Sequence, residues 1–302
     1  GVWLVFNVLF GFVFKKRKNT LYWFLSILSG LALFMGFPDP SITPMIFLGF
    51  VPLLFIAEEE LKTEKGGRIV FRYVYAAFLL WNILSTFWVA NTSFIPSIVA
   101  FTLNSVFMSI PFMAYFAFRK RFKITISLVA FVCFWLSFEM IHLRWEISWP
   151  WLTLGNAFSS RSLWIQWYEF TGHLGGSVWV LIMNALLFYL IYRIYKNKPI
   201  SVMNLFYPVF TLMIPIIVSF FVFFAHEEKG TPVNVTLVQP NFEPHYEKFD
   251  IPSSQQLERF MNISESNISD TTDYLVFPET SFGAFDVDNL YDSRTINRIT
   301  EL

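Results

Sequence analysis

The chain has 302 residues, of which 55% are hydrophobic, 20% aromatic and only 15% charged, and its mean hydropathy is +0.51. A soluble domain carries nearer a quarter charged residues, so this composition excludes a wholly soluble protein and defines a polytopic membrane protein with a soluble piece attached. The formal net charge of zero hides a split: residues 1–225 hold 17 Lys and Arg against 8 Asp and Glu, residues 226–302 hold 5 against 14, and so acidic a tail excludes nucleic acid as a partner.

In chain order, Val2 to Phe14 is apolar but short of the roughly twenty residues that span a bilayer. It has no initiator Met, no charged leading region and no small-residue cleavage site. It is therefore read as the remnant of a cut segment rather than a signal peptide. Lys15, Lys16, Arg17 and Lys18 follow, and then come seven apolar runs at 20–36, 42–57, 69–90, 94–118, 124–143, 174–195 and 202–225. Seven spans are expected in a helical bundle over 1–225. The link from Phe37 to Pro40 leaves room only for a tight turn. Cations cluster at 15–18, 62–72, 119–123 and 193–198, in every second connection, whereas the alternate connections hold only Arg144 and Arg161. The positive-inside rule puts the basic loops in the cytoplasm and the tail outside it, on the periplasmic side of an inner membrane.

The longest alternate connection, Arg144 to His173, holds Trp145, Trp149, Trp151, Trp164, Trp167 and Tyr168. The plain account is an aromatic belt at headgroup level. Trp149 and Trp151 flank Pro150, so their spacing is rigid. Within the spans, Glu139 and His142 can share a helix face and form a structural hydrogen-bonded pair, since an unpaired carboxylate there is costly. Asn82, Asn104 and Asn184 are expected to bond between helices, and Gly30 and Gly36 to mark close packing. Cys133 is the single cysteine; inside a span, without a cationic neighbour, it is a poor nucleophile and is read as a small core residue. Four scattered histidines and one cysteine offer no metal site and no intrachain disulfide, and no cofactor is expected.

The tail has the pattern of an α/β domain. Val233, Val235 and Leu237 alternate with Asn234, Thr236 and Val238, which predicts a strand buried mainly on one face. Ser253 or Ser254 can cap a helix with Leu257, Phe260, Met261 and Ile268 on one side. Tyr274 to Phe277 predicts a central strand, and Pro278-Glu279 follows it. A carboxylate at the C-terminal end of such a strand is a common place for chemistry. Another helix is expected at Ile296, Ile299 and Leu302.

These residues carry a resemblance. VQPNF, then Glu247, Lys248 and Phe249, then FPE about thirty residues later, resemble the opening of a nitrilase-type (carbon–nitrogen hydrolase) domain. With the multi-span region in front, the chain resembles the apolipoprotein N-acyltransferase family. WPWLTLGNAFS, with Gly172, Gly175, Gly176, Ser177 and Asn184, is similar to that family's segment ahead of a span. Phe249 and Phe277 stand where the family usually has Trp, so packing survives while an indole N–H is lost.

The resemblance implies the fold and the activity: a polytopic α-helical membrane bundle over 1–225, then the incomplete start, over 226–302, of a nitrilase-like αββα extracytoplasmic domain. Glu279 would be the general base of a Glu-Lys-Cys triad whose Lys and Cys lie beyond Leu302. Trp149, Trp151, Lys248 and Phe249 would face substrate. The reaction implied is N-acylation of the N-terminal diacylglyceryl-cysteine of bacterial lipoproteins, from a phospholipid acyl donor, through a thioester. The chain by itself is expected to be inactive. A membrane-anchored carbon–nitrogen hydrolase or acyltransferase of another substrate, and a non-catalytic membrane scaffold, remain as alternatives.

Overall fold

A backbone in hydrocarbon must bond to itself, so long apolar runs become helices. The computed structural model describes residues 18–243, 247–248, 250–279, 281–282, 288–289 and 293–301. The apolar segment at 2–14 and the expected substrate residue Phe249 lie outside them. The chain divides between His226 and Glu227 into two compact units.

In the first unit, α1 (Lys18–Met35) leads through a turn, a 3-10 helix (Thr43–Leu48) and the short α2 (Val51–Glu59) to α3 (Gly66–Thr86). Then come α4 (Phe94–Arg119), α5 (Ile124–His142), α6 (Tyr168–Tyr195) and α7 (Val202–Ala225). Among the described residues five helices are long and apolar enough to cross a membrane: α3 with the 3-10 extension after it, and α4 to α7. The runs at 20–36 and 42–57 are not among these five. The described α1, 18 residues long, extends about 27 Å at 1.5 Å per residue, against about 30 Å of hydrocarbon. The 42–57 run is not one helix, because it breaks between Leu48 and Val51.

That break is stitched by side chains. Asn184 of α6 accepts from the Phe50 amide at 2.8 Å and donates to the Ile46 carbonyl at 2.9 Å, and Ser29 donates to the Gly49 carbonyl. Asn104 donates to Asn82 at 2.7 Å, joining α4 to α3, so all three asparagines tie separate elements together as their position in apolar runs suggested. Gly30 and Gly36 sit where a Cβ would come within 2.7 Å of Ala77 and Ile46 respectively. Packing rests on aromatics: Phe50 meets Trp135 edge-on at 4.6 Å, Phe78 meets it at 5.5 Å, and Phe131 and Phe112 are fully buried nearby. Cys133 departs from expectation, for it is exposed on α5 rather than part of the core.

The end of α2 carries three successive carboxylates, and each takes a cation from a different part of the chain. Glu58 holds Arg119 at 2.6 Å, Glu59 holds Lys196 at 3.0 Å, and Glu60 holds Lys18 at 2.5 Å together with the Tyr22 hydroxyl at 2.8 Å. Burial pushes the Glu60 carboxyl up, but hydrogen bonds from Lys18, Tyr22 and Thr63 outweigh it and hold it below the usual range. The short α2 thereby anchors the ends of α1, α4 and α6 at once.

Helix α7 is largely apolar and contains Pro208 and Pro215. Pro215 has no N–H for the carbonyl one turn back, that of Thr211. Trp179 of α6 supplies the missing donor, its indole Nε1 reaching the Thr211 oxygen at 2.7 Å. Further along, the Gln166 amide donates to Ser219 at 2.6 Å.

In the second unit, β1 (Val235–Leu237) and β2 (Tyr274–Val276) pair in parallel, Val235 opposite Tyr274 and Leu237 opposite Val276. Helix α8 (Ser253–Glu265) crosses between them, and α9 (Arg294–Thr300) closes the described chain. This is a strand–helix–strand opening of an α/β domain. One expectation fails here. The face formed by Val235 and Leu237 is exposed, Leu237 by 73%, because among the described residues no element covers it. Instead α8 buries Phe260 and Met261, and the Phe260 ring meets Phe277, the residue after β2, at 5.5 Å.

Candidate active site

The carboxylate at the end of β2 is positioned by an aromatic cluster. Phe260 of α8 meets Phe242, Phe277 and Phe282 at ring distances of 5.7, 5.5 and 5.0 Å, and Phe277 meets Phe282 at 5.3 Å. Phe277 therefore ends the strand packed, and Pro278 directs the chain out of it. Glu279 follows, exposed. The turn closes without it, since the Ser281 hydroxyl donates to the Pro278 carbonyl. Lys248 lies over the ring of Phe242, its Nζ 5.7 Å from the centroid, with the Arg259 guanidinium 4.9 Å from the same ring. Glu279 and Lys248 thus both flank one aromatic cluster.

In the membrane unit the loop after α5 is folded rather than a loose belt. Three short 3-10 turns, Pro150–Leu152, Leu154–Phe158 and Ser162–Trp164, carry Leu154, Ala157 and Phe158 into full burial. Gly155 touches the next helix so closely that a Cβ would stand 1.8 Å from the His173 carbonyl. Gly172 takes φ +63°, a left-handed value that lets α6 bend where the loop joins the span.

The two tryptophans of the Trp149-Pro150-Trp151 turn part company. Trp151 is 52% exposed and meets Trp88 edge-on at 5.3 Å. Trp149 turns inward, towards Phe101 and a small void shared with Asn104, Glu139, His142 and Thr153. Only Trp151 presents the open apolar surface expected of both.

The expected Glu139–His142 hydrogen bond is not formed. Glu139 accepts instead from Trp135 Nε1 at 3.0 Å and from the Leu154 amide at 2.9 Å, so the carboxylate pins the loop to α5. His142 stacks on Phe138 at 4.9 Å. Spacing along a helix identified a shared face; it carried no trace of an amide arriving from the loop fifteen residues on. Nor did the sequence reading find the cleft between α5, α6 and α7. It is an open groove of about 590 Å³, lined by Leu136, Met140, Trp167, Val178, Phe210 and Ile214 among others.

A helical membrane unit with a folded aromatic loop, followed by a parallel α/β opening with a carboxylate at a strand end, defines a membrane-embedded protein that carries a domain suited to chemistry. Residues 29–186, just over half of the chain, match the family described as the apolipoprotein N-acyltransferase N-terminal domain, and the chain belongs to that family. It is 28% identical over 265 residues to an apolipoprotein N-acyltransferase of Chlorobaculum tepidum, covering 85% of this chain and 49% of that protein. With an apolipoprotein N-acyltransferase of Geobacter metallireducens it shares 25% identity over 277 residues, 85% of this chain and 50% of the relative. The chain spans about half the length of these curated relatives.

Proposed function

We propose that these residues are the front half of an enzyme that N-acylates the diacylglyceryl-modified N-terminal cysteine of bacterial lipoproteins, taking the acyl chain from a phospholipid. The observation that carries the reading is Glu279, exposed at the end of the second parallel strand of a domain attached to a membrane bundle of this family. In a nitrilase-like arrangement Glu279 accepts the proton of a thiol as its sulfur attacks the ester carbonyl of the donor. The thioester forms and the lyso-lipid leaves as an alcohol. The lipoprotein α-amine then attacks the thioester, the sulfur departs, and Glu279 takes up the proton shed by nitrogen. Cys133 does not serve as the thiol, since it lies mid-helix in α5; the reading assigns the nucleophile to residues beyond 302. Lys248 and Phe249 would line the substrate side, with Trp151 and the apolar cleft receiving lipid chains.

Purified full-length protein incubated with phospholipid carrying a labelled acyl chain is expected to take up a hydroxylamine-sensitive label and pass it to a diacylglyceryl peptide. A protein that hydrolyses soluble amides and leaves the lipid untouched would remove the lipoprotein reading.

The orientation supports the same assignment. Fifteen cations in one set of connections against two in the other support the reading that residues 227–302 lie on the periplasmic face of the inner membrane. An alkaline phosphatase fusion after His226 should be active, and a fluorescent-protein fusion at the same point dark. Cytoplasmic fluorescence there would overturn the orientation.

A further inference from the structure

We propose that the void between α4, α5 and the Trp149 turn binds a single water molecule, and that this water holds Trp149 in its inward position. Asn104 and Glu139 are each 4% exposed and His142 6%, so three polar side chains more than nine-tenths buried line one space. Among the described residues Glu139 Oε2, Asn104 Oδ1, both ring nitrogens of His142 and Trp149 Nε1 have no hydrogen-bond partner. Buried polar atoms are paired, with protein or with ordered water, in nearly every native structure.

The size of the void selects the ligand. About 10 Å³ is open to the centre of a water-sized sphere, which suits one water and no headgroup or ester. The chemistry selects it too. Glu139 Oε2 and Asn104 Oδ1 accept, whereas Trp149 Nε1 and one ring N–H of neutral His142 donate. A water molecule offers two donors and two acceptors, the complement of that set. His142 is held for the task by Phe138, stacked at 4.9 Å, and by Trp145, edge-on at 5.3 Å.

The bound water completes a latch. Glu139 already grips the Leu154 amide through its other oxygen, so one carboxylate would fix the loop on both sides of Pro150. Asn104, Glu139 and His142 are then positioning residues for the loop; that the loop serves lipid substrates rests on the function proposed above.

Cryo-electron microscopy of the full-length protein in nanodiscs should reveal a single spherical density within hydrogen-bond distance of at least three of the four groups. By hydrogen–deuterium exchange, Trp149→Phe and His142→Phe should each speed exchange over residues 150–158 about five- to tenfold, while α4 and the first turns of α5 stay protected. His142→Gln, which keeps a donor, should retain the density and the protection. A dry void overturns the proposal, as does unchanged loop exchange in both phenylalanine variants or a density larger than water. None of these readouts requires acyl transfer, so the latch is tested even where the proposed activity fails.

Discussion

If Glu279 is the base proposed above, Glu279→Gln in the full-length protein should lower acyl transfer by a factor of about 10² to 10⁴, the range for losing a general acid–base group, and should leave folding and membrane insertion intact. The amide keeps the shape and some of the hydrogen bonding of the carboxylate but cannot take a proton at neutral pH. A bracing role would give the opposite pattern, with Gln tolerated and Ala unfolding the turn. The structure weighs against bracing, because Ser281 closes the turn onto Pro278 and Glu279 is exposed. Measuring thioester formation and protease resistance for both Glu279→Gln and Glu279→Ala separates the two roles. A fully active Glu279→Gln enzyme would end the assignment of Glu279 as the base.

Asn184→Leu should be among the most destabilising single substitutions in the membrane unit, by about 2–4 kcal/mol from one orphaned amide and one lost hydrogen bond. Its side-chain oxygen is the acceptor for the Phe50 amide, which as the residue before α2 has no helical partner. Leucine keeps the branched skeleton and leaves no cavity, though its larger methyl groups add some overpacking to the loss. In a membrane no water replaces the lost acceptor. Thermal unfolding in detergent, followed by loss of the folded monomer, gives the measurement. An unchanged midpoint would mean that the Phe50 amide finds another acceptor and that the break after Leu48 stands without α6.

What was legible in the sequence was whatever depends on composition and period. Long apolar runs gave α3 to α7, alternation around Val235 and the short apolar run at Tyr274 gave two strands with a helix between, and asparagines inside apolar runs announced bonds between elements. Breaks and partners were less legible. Gly49 and Pro52 stand at the interruption of the run from Ile42 to Ala57, but the groups that make a non-helical stretch tolerable there, Asn184 and Ser29, come from elsewhere in the chain. The Glu139–His142 pair was a sound inference from spacing that lost to a backbone amide of better geometry. Trp149 and Trp151 read alike because they flank one proline, yet the turn sends one inward and one out. The three carboxylates after Ala57 had no visible purpose until three helix ends converged on them. Glu279 was found from its local setting alone, and its role as a base remains a proposal that the first substitution tests.

The proline in α7 has a consequence for orientation about the helix axis. A helix so largely apolar has no broad amphipathic stripe to tell it which face to turn inward, and the dispersion forces between its side chains and lipid or protein differ little. Thr211, Pro215 and Ser219 recur every fourth residue, so they form one ridge inclined about 26° to the helix axis. Trp179 reads the ridge at Thr211, and the Gln166 amide reads it again at Ser219, about 12 Å further along the axis. Two pins at different depths remove both freedoms that a greasy rod keeps in a bilayer, spin and vertical slip. The proline that weakens the helix thereby supplies its compass bearing.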